Sequence, residues 1–329
     1  MFHKIKNPIL FQGNLQKKNY FEGWYYKMVS ADGQCSLALI PGISLHNEHS
    51  HAFIQVFVTY GDVDLKTIYV DFDLNGFSVD NSEFCLSIAD NIFTEKGVSI
   101  SIDHKDLSIK GKIDFMGNTG IKTSPLSPSI MGFFGFFTFM ECYHGVLSMS
   151  HSLSGEMQID GKAISFSGGK GYMEKDWGSS FPREYVWMQS NHFTNPGTSF
   201  MFSEAIIPFK VFSFNGLIVN LICGGVEYRF ATYNGAKVVQ KEIETQSVKY
   251  TIVKGGLRLE IEAQNEKTIS LPSPKNGAMI QSIKEGLSGA VHLKLFSDNK
   301  LLFEDTGTHA GLEIMMQSGV YLRPEKKMK

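Results

Sequence analysis

GAVHLKLFSDNKLLFEDTG, residues Gly289–Gly307, decides the fold. Its apolar residues alternate at Val291, Leu293 and Leu295 and resume as Leu301–Phe303 beyond Ser297–Lys300, which reads as a hairpin turn between two half-buried strands. The same alternation returns in HAFIQVFVTYG (His51–Gly61), VSISIDHKDLSIKGKI (Val98–Ile113) and GLRLEIEAQ (Gly256–Gln264). Gly, Asn, Asp or Pro bounds most of these runs, as expected of antiparallel strands. Helical spacing is nearly missing, and only Asn276–Lys284 has the character of a short helix or capping turn. The chain is expected to be all-β. An all-β chain of 329 residues must hide its sheet edges, which two closed barrels or two sandwiches in tandem would do.

Composition narrows the function. Apolar residues make up 43% of the chain, enough to fill sizeable cores. The net charge is −2 and the basic residues are scattered apart from the terminal KKMK (Lys326–Lys329), so no nucleic-acid partner is expected. Cys35, Cys85, Cys142 and Cys223 form no CxxC pair, which suits buried thiols in a reducing compartment. MFHKIKNPILFQ has no signal-peptide core, so a cytoplasmic protein is expected. IMGFFGFFTFM (Ile130–Met140) is apolar throughout but falls short of the ~20 residues of a spanning helix. It reads as a buried linker, as a flap over a cavity, or as a patch making transient membrane-surface contact.

YFEGWYY (Tyr20–Tyr26) and YMEKDWG (Tyr172–Gly178) echo each other faintly, each with Tyr-x-Glu, Gly and Trp. With the hairpin-type turn at Asp160–Gly161, the echo places two units at residues 1–160 and 161–329.

GYMEKDWGSSFP (Gly171–Pro182) carries the candidate chemistry. In an extended backbone Tyr172, Glu174 and Asp176 share a face, with the two carboxylates about 7 Å apart. In an apolar cavity such a pair resists double ionisation and retains a proton, giving a general acid. The bland alternative is that Asp176 pairs with Arg183 or Lys175 and anchors the turn. Along EYVWMQSNHF, alternation sends Tyr185, Trp187, Gln189, Asn191 and Phe193 to one face and His192 to the other. Aromatics interleaved with amides suit either a ligand-holding wall or a barrel filled by its own side chains.

Other chemistries find little support. HNEHSH (His46–His51) has neither the ligand count nor the spacing of a zinc site, so no metal is expected. GxSxG and GxGxxG are both missing, which disfavours serine hydrolysis and nucleotide cofactors. In ECYHGVLSMSHSLSG, His151 falls on the face of Glu141 and Tyr143 while His144 takes the other. Strand histidines of this kind read first as hydrogen-bonded core members.

Four blocks, FEGWYYK (Phe21–Lys27), ECYHGVLSM (Glu141–Met149), GYMEKDWGSSFP and WMQSNHF (Trp187–Phe193), together resemble the tocopherol cyclase family, as does the late THAGLEI (Thr308–Ile314). The resemblance implies two lipocalin-like antiparallel β-barrels in tandem. It also implies a cofactor-free ring closure, in which a prenylated quinol is protonated at its alkene and the phenolic oxygen captures the cation. Transferred to this chain, Asp176 or Glu174 is the acid, and Trp24, Tyr25, Trp177 and Trp187 are electron-rich faces for a carbocation. Glu22, Tyr172, Arg183, Gln189, Asn191 and His192 complete the expected binding set. Two further readings stand beside the cyclase: an alkene hydratase, and a non-catalytic carrier of a small lipophilic molecule. The oligomeric state is not legible in the sequence.

Overall fold

The computed structural model describes residues 2–60, 63–209 and 212–322. Gly61 and the Lys326–Lys329 cluster lie outside the described residues. The chain divides into two compact units, residues 1–181 with 269–283, and residues 182–268 with 284–329.

A short helix, α1 (Phe2–Lys6), precedes a twelve-stranded antiparallel sheet. Its first strands are β1 (Tyr20–Val29), β2 (Cys35–Leu45), β3 (His51–Tyr60) and β4 (Val63–Phe72). Short strands follow: β5 (Phe77–Asp80), β6 (Cys85–Ile88), β7 (Asn91–Thr94) and β8 (Gly97–His104). The sheet is completed by β9 (Leu107–Thr119), β10 (Cys142–Ile159), β11 (Lys162–Ser165) and β12 (Lys170–Gly178). The strand order is β4-β3-β2-β1-β12-β10-β9-β8-β7-β6-β5, with β11 paired to β10. Thus β1 lies beside β12, and β12 beside β10, although well over a hundred residues separate β1 from its neighbour.

The second sheet begins with β13 (Tyr185–Ser190), β14 (Ser199–Phe209), β15 (Phe212–Cys223) and β16 (Val226–Ala231). It continues through β17 (Lys237–Ile243), β18 (Ser247–Lys254), β19 (Leu257–Gln264) and β20 (Ile269–Lys275). It ends with β21 (Ala278–Ser297), β22 (Lys300–Ile314) and β23 (Gly319–Leu322). Here the order is β16-β15-β14-β13-β22-β21-β19-β18-β17-β23. The fold is all-β, built of two lipocalin-like antiparallel barrels.

The deciding hairpin forms as its pattern requires. Ser297 and Lys300 face each other, and Asp298 and Asn299 between them take φ of 48° and 65°, the left-handed pair of a tight two-residue turn. Val291, Leu293 and Leu295 enter the second core. Each unit has its own core. Trp24, Tyr26, Met28, Leu39, Val56, Phe93 and Met173 belong to the first, and Val186, Met188, Phe202, Tyr250 and Leu293 to the second.

Three expectations are corrected. The Asp160–Gly161 turn is a true hairpin, with Ile159 facing Lys162, but it lies inside the first sheet and not at a boundary, because β12 continues that sheet onto β1. Asn276–Lys284 is a turn followed by strand β21 and holds no helix. Ile130–Met140 is not a buried linker: Ile130, Gly132 and Met140 are buried, whereas Phe133 and Phe139 are exposed. All four cysteines are free, Cys35 and Cys223 buried and the others half-buried.

Candidate functional site

Strands β10, β12 and β1 run side by side, and register fixes what meets across them. His144 faces Asp176, Val146 faces Glu174, Glu174 faces Tyr25, and Tyr172 faces Lys27. Alternation puts Tyr172, Glu174 and Asp176 on one face of β12 and Met173, Lys175 and Trp177 on the other. The sheet therefore carries two different polar constructions back to back.

On the first face His144 is the centre. Its Nδ1 lies 2.9 Å from Asp176 Oδ1 and its Nε2 3.6 Å from Glu174 Oε2. The Tyr172 hydroxyl donates to Glu174 Oε2 at 2.5 Å. The Glu174 side chain is 5% exposed, His144 12% and Asp176 25%, so solvent reaches the trio from the Asp176 end. Burial alone disfavours an imidazolium here, but the Asp176 and Glu174 carboxylates outweigh it and push His144 up to about 9. Burial, reinforced by Glu174, raises the Tyr172 phenol well above its ordinary range, so it stays a donor. Tyr25 packs edge-on against Tyr172 with centroids 6.5 Å apart and against Phe57 at 6.1 Å, so the trio is flanked by aromatic faces. Lys27, 2% exposed, brings another cationic side chain to the same face of β1.

Asp176 pairs with neither Arg183 nor Lys175, the partners expected of a structural anchor; its partner is His144. Among the described residues, His144, Glu174 and Asp176 are also the one cluster with metal-donor spacing, their ligand atoms all lying within 4.8 Å of one another. The arrangement fits a proton better than a cation. Nδ1, within hydrogen-bond reach of Asp176, carries hydrogen, and a ring held protonated by the two carboxylates has no lone pair on Nε2 to give a metal. HNEHSH makes no such cluster, since His51 Nε2 is 2.7 Å from the Tyr69 hydroxyl and His49 pairs with Asp71 at the surface.

On the opposite face the aromatics of the two motifs hold the structure together. Lys175 is fully buried and ion-pairs with Glu22, which is also fully buried. Its Nζ donates to the carbonyls of Pro8 (2.9 Å) and Leu10 (2.6 Å) and sits 4.3 Å from the Trp24 ring and 5.1 Å from Trp177. Glu22 in turn accepts from the amides of Gln12 (2.8 Å) and Gly13 (3.0 Å) and from the Tyr20 hydroxyl. Trp24 Nε1 donates to Ile9 O at 2.7 Å, and Trp177 stacks on Tyr143. Together they clamp residues 8–13 against the sheet. Glu22, Trp24 and Trp177, expected to surround the ligand with the acid, thus lie on the other side of the strands, because the period of two separates them from Glu174 and Asp176.

His151 is a core member. Its Nδ1 lies 3.0 Å from Ser148 Oγ, its ring rests on Phe115, and burial lowers it to about 3 and keeps it neutral. Gly171 makes room for it: a Cβ there would stand 2.1 Å from His151 Nε2.

The remaining expected residues belong to the second unit. Trp187 and Gln189 are buried on β13, with Gly311 leaving space for the indole. The Tyr185 hydroxyl donates to Glu313 Oε2 at 2.5 Å. The strand ends at Ser190, so alternation does not carry through to Phe193, which enters the second core. Asn191 is buried, His192 is half-buried and bridges to Thr308, and Arg183 is exposed between β12 and β13. The residue that sequence reasoning missed is His144. Its one signal was its placement opposite Tyr143 on a strand that turns out to neighbour β12.

Comparison with known proteins agrees with this architecture. The sequence profile of the tocopherol cyclase-like family matches residues 117–315, which include β10 and β12. The chloroplastic tocopherol cyclase of Zea mays is 34% identical over 79 residues, covering 24% of this chain and 16% of the maize protein. The aligned part is thus well under two thirds of that relative's length. CghA with Sch210972 superposes with a TM-score of 0.58 at 9% identity over 91% of this chain and 89% of that one. Kievitone hydratase from Nectria haematococca gives 0.53 at 10% identity, with 94% of each chain covered. At such identities these structures speak for the fold alone, while the profile covers well over half of the sequence: the chain belongs to the tocopherol cyclase-like family.

Proposed function

We propose that the protein binds a small lipophilic molecule, a prenylated quinol or related isoprenoid, and cyclises it by acid catalysis at the His144–Asp176–Glu174 trio. The observation that carries this reading is that His144 Nδ1 lies 2.9 Å from Asp176 Oδ1 while Glu174 Oε2 stands 3.6 Å from Nε2. Ring closure gives up one proton to the alkene and recovers another from the phenol. The imidazolium of His144 passes its Nδ1 proton to the Asp176 carboxylate, which transfers it to the alkene carbon. The π pair forms the new C–H bond and leaves a tertiary cation. The phenolic oxygen closes on the cation with a lone pair, and its proton passes to the Asp176 carboxylate while the Glu174 carboxylate steadies the ring. Asp176 returns that proton to the vacated Nδ1 of His144, so the reaction is a net isomerisation without a cofactor.

The cation needs electron-rich faces. Tyr25 and Tyr172 supply them in the first unit, in place of Trp24 and Trp177. The partial exposure of Asp176 supports a second outcome on the same centre: with water as the nucleophile, the cation is hydrated. The free cysteines suit a cytoplasmic setting. Among the described residues, no helix is long and apolar enough to cross a membrane.

Asp176→Asn and His144→Phe test the reading with a prenylated quinol as substrate. A loss of roughly 10²-fold or more in each folded variant is expected. Conversion at the parental rate would reject the acid assignment, and a parent that retains the quinol unchanged would identify a carrier.

A further inference from the structure

We propose that the aromatic turn between β9 and β10 is a docking surface for an anionic lipid bilayer, placed to pass a lipophile to the strand that carries His144. The inference rests on the position and surroundings of residues 131–140. Gly132–Phe136 form a 3-10 turn, and Phe133 and Phe139 are 43% and 45% exposed. The rings support one another. Phe133 stacks on Phe134 with centroids 4.7 Å apart, Phe137 stacks on Phe139 at 5.4 Å, and Phe137 meets Phe133 and Phe134 edge-on. A self-packed cluster keeps its exposed rings in a fixed direction, which a loose loop would not do.

The turn is rooted in β10. The Tyr143 hydroxyl donates to Phe137 O at 2.6 Å, and the His144 amide donates to Met131 Sδ at 3.3 Å. Its other flank is basic. A Cβ on Gly135 would lie 3.5 Å from Ile5 Cγ2, so the turn abuts α1, whose His3 and Lys6 are exposed. Lys4 is turned inward to Phe11 O, and Glu141 is the acidic residue that ends the turn. Aromatic rings beside lysine match a bilayer interface, where rings settle among the headgroups and ammonium groups meet lipid phosphates. Because Met131 touches the backbone of His144, a greasy ligand leaving the bilayer here arrives on β10, beside the strand that carries the acid. That delivery role rests on the proposed function; the docking itself does not.

Flotation of the full chain with phosphatidylcholine vesicles, with and without phosphatidylglycerol, tests it. Binding is expected to vesicles containing phosphatidylglycerol and to weaken at high salt. Phe133→Ser is expected to lower the bound fraction roughly tenfold and Lys6→Glu roughly fivefold, with unchanged melting. The proposal is overturned if the parent does not float, or if both variants float as it does. It is equally overturned if size-exclusion chromatography shows the patch pairing two copies of the chain and Phe133→Ser merely separates them. Catalysis does not enter this readout, so a protein that docks without turning over a quinol separates the two proposals.

Discussion

Replacing Lys175 with Met removes the clamp on the N-terminal segment while keeping a side chain of similar length against Trp24 and Trp177. The carbonyls of Pro8 and Leu10 lose their donor, and Glu22 is left fully buried without its cation. Breaking one side of a buried ion pair costs about 3–5 kcal/mol. Three remaining donors to Glu22, the Gln12 and Gly13 amides and the Tyr20 hydroxyl, place the expected loss at the lower end, about 3 kcal/mol. For a unit of this size that lowers the melting temperature by roughly 6–12 °C. Tryptophan fluorescence suits the assay, since Trp24 and Trp177 both face the ammonium, and proteolysis should begin to cut within residues 8–13 before global unfolding. Adding Glu22→Gln should recover part of the loss, because the orphaned charge is then gone. A melting temperature within about 1 °C of the parent would refute the view that FEGWYY and EKDW are tied together as a structural clamp.

Other expectations concern neighbouring residues. Gly171→Ala drives a methyl group into the His151 ring and should destabilise the first unit by about 1–3 kcal/mol in urea unfolding. Trp24→Phe loses the bond to Ile9 O and should cost about 1 kcal/mol while leaving quinol turnover per folded molecule unchanged, since the indole lies opposite the acid face. The pH dependence follows from His144. Its folded value of about 9 exceeds the ordinary value of 6.5, so its contribution is complete below pH 6.5 and is lost as pH rises through 9. Chemical denaturation from pH 6 to 10 should show an alkaline loss of about 3 kcal/mol that His144→Phe abolishes.

Much of the fold was legible because its signals are local. Alternation marked the strands, and Asp298–Asn299 and Asp160–Gly161 each close the turn their residue types favour. Long-range pairing was not legible. Nothing near Asp160 says that β12 returns to β1, so a hairpin inside a sheet looked like a junction. The same blindness hid His144, whose importance comes from facing Asp176 thirty-two residues away across β10 and β12. Alternation along YMEKDWG did separate Glu174 and Asp176 from Lys175 and Trp177, yet reading the motif as one pocket merged two opposite faces. The Phe-rich turn misled for another reason: apolar composition alone does not distinguish rings packed inside from rings packed on one another at the surface.

The central claim is that His144 holds a proton between two carboxylates in a site nearly closed to solvent. Heteronuclear NMR of the imidazole nitrogens through a pH titration tests it most directly. Both nitrogens should be protonated at neutral pH, with deprotonation near 9 that moves down sharply in Asp176→Asn. A His144 that is neutral at pH 7, titrating at or below its ordinary 6.5, would contradict it.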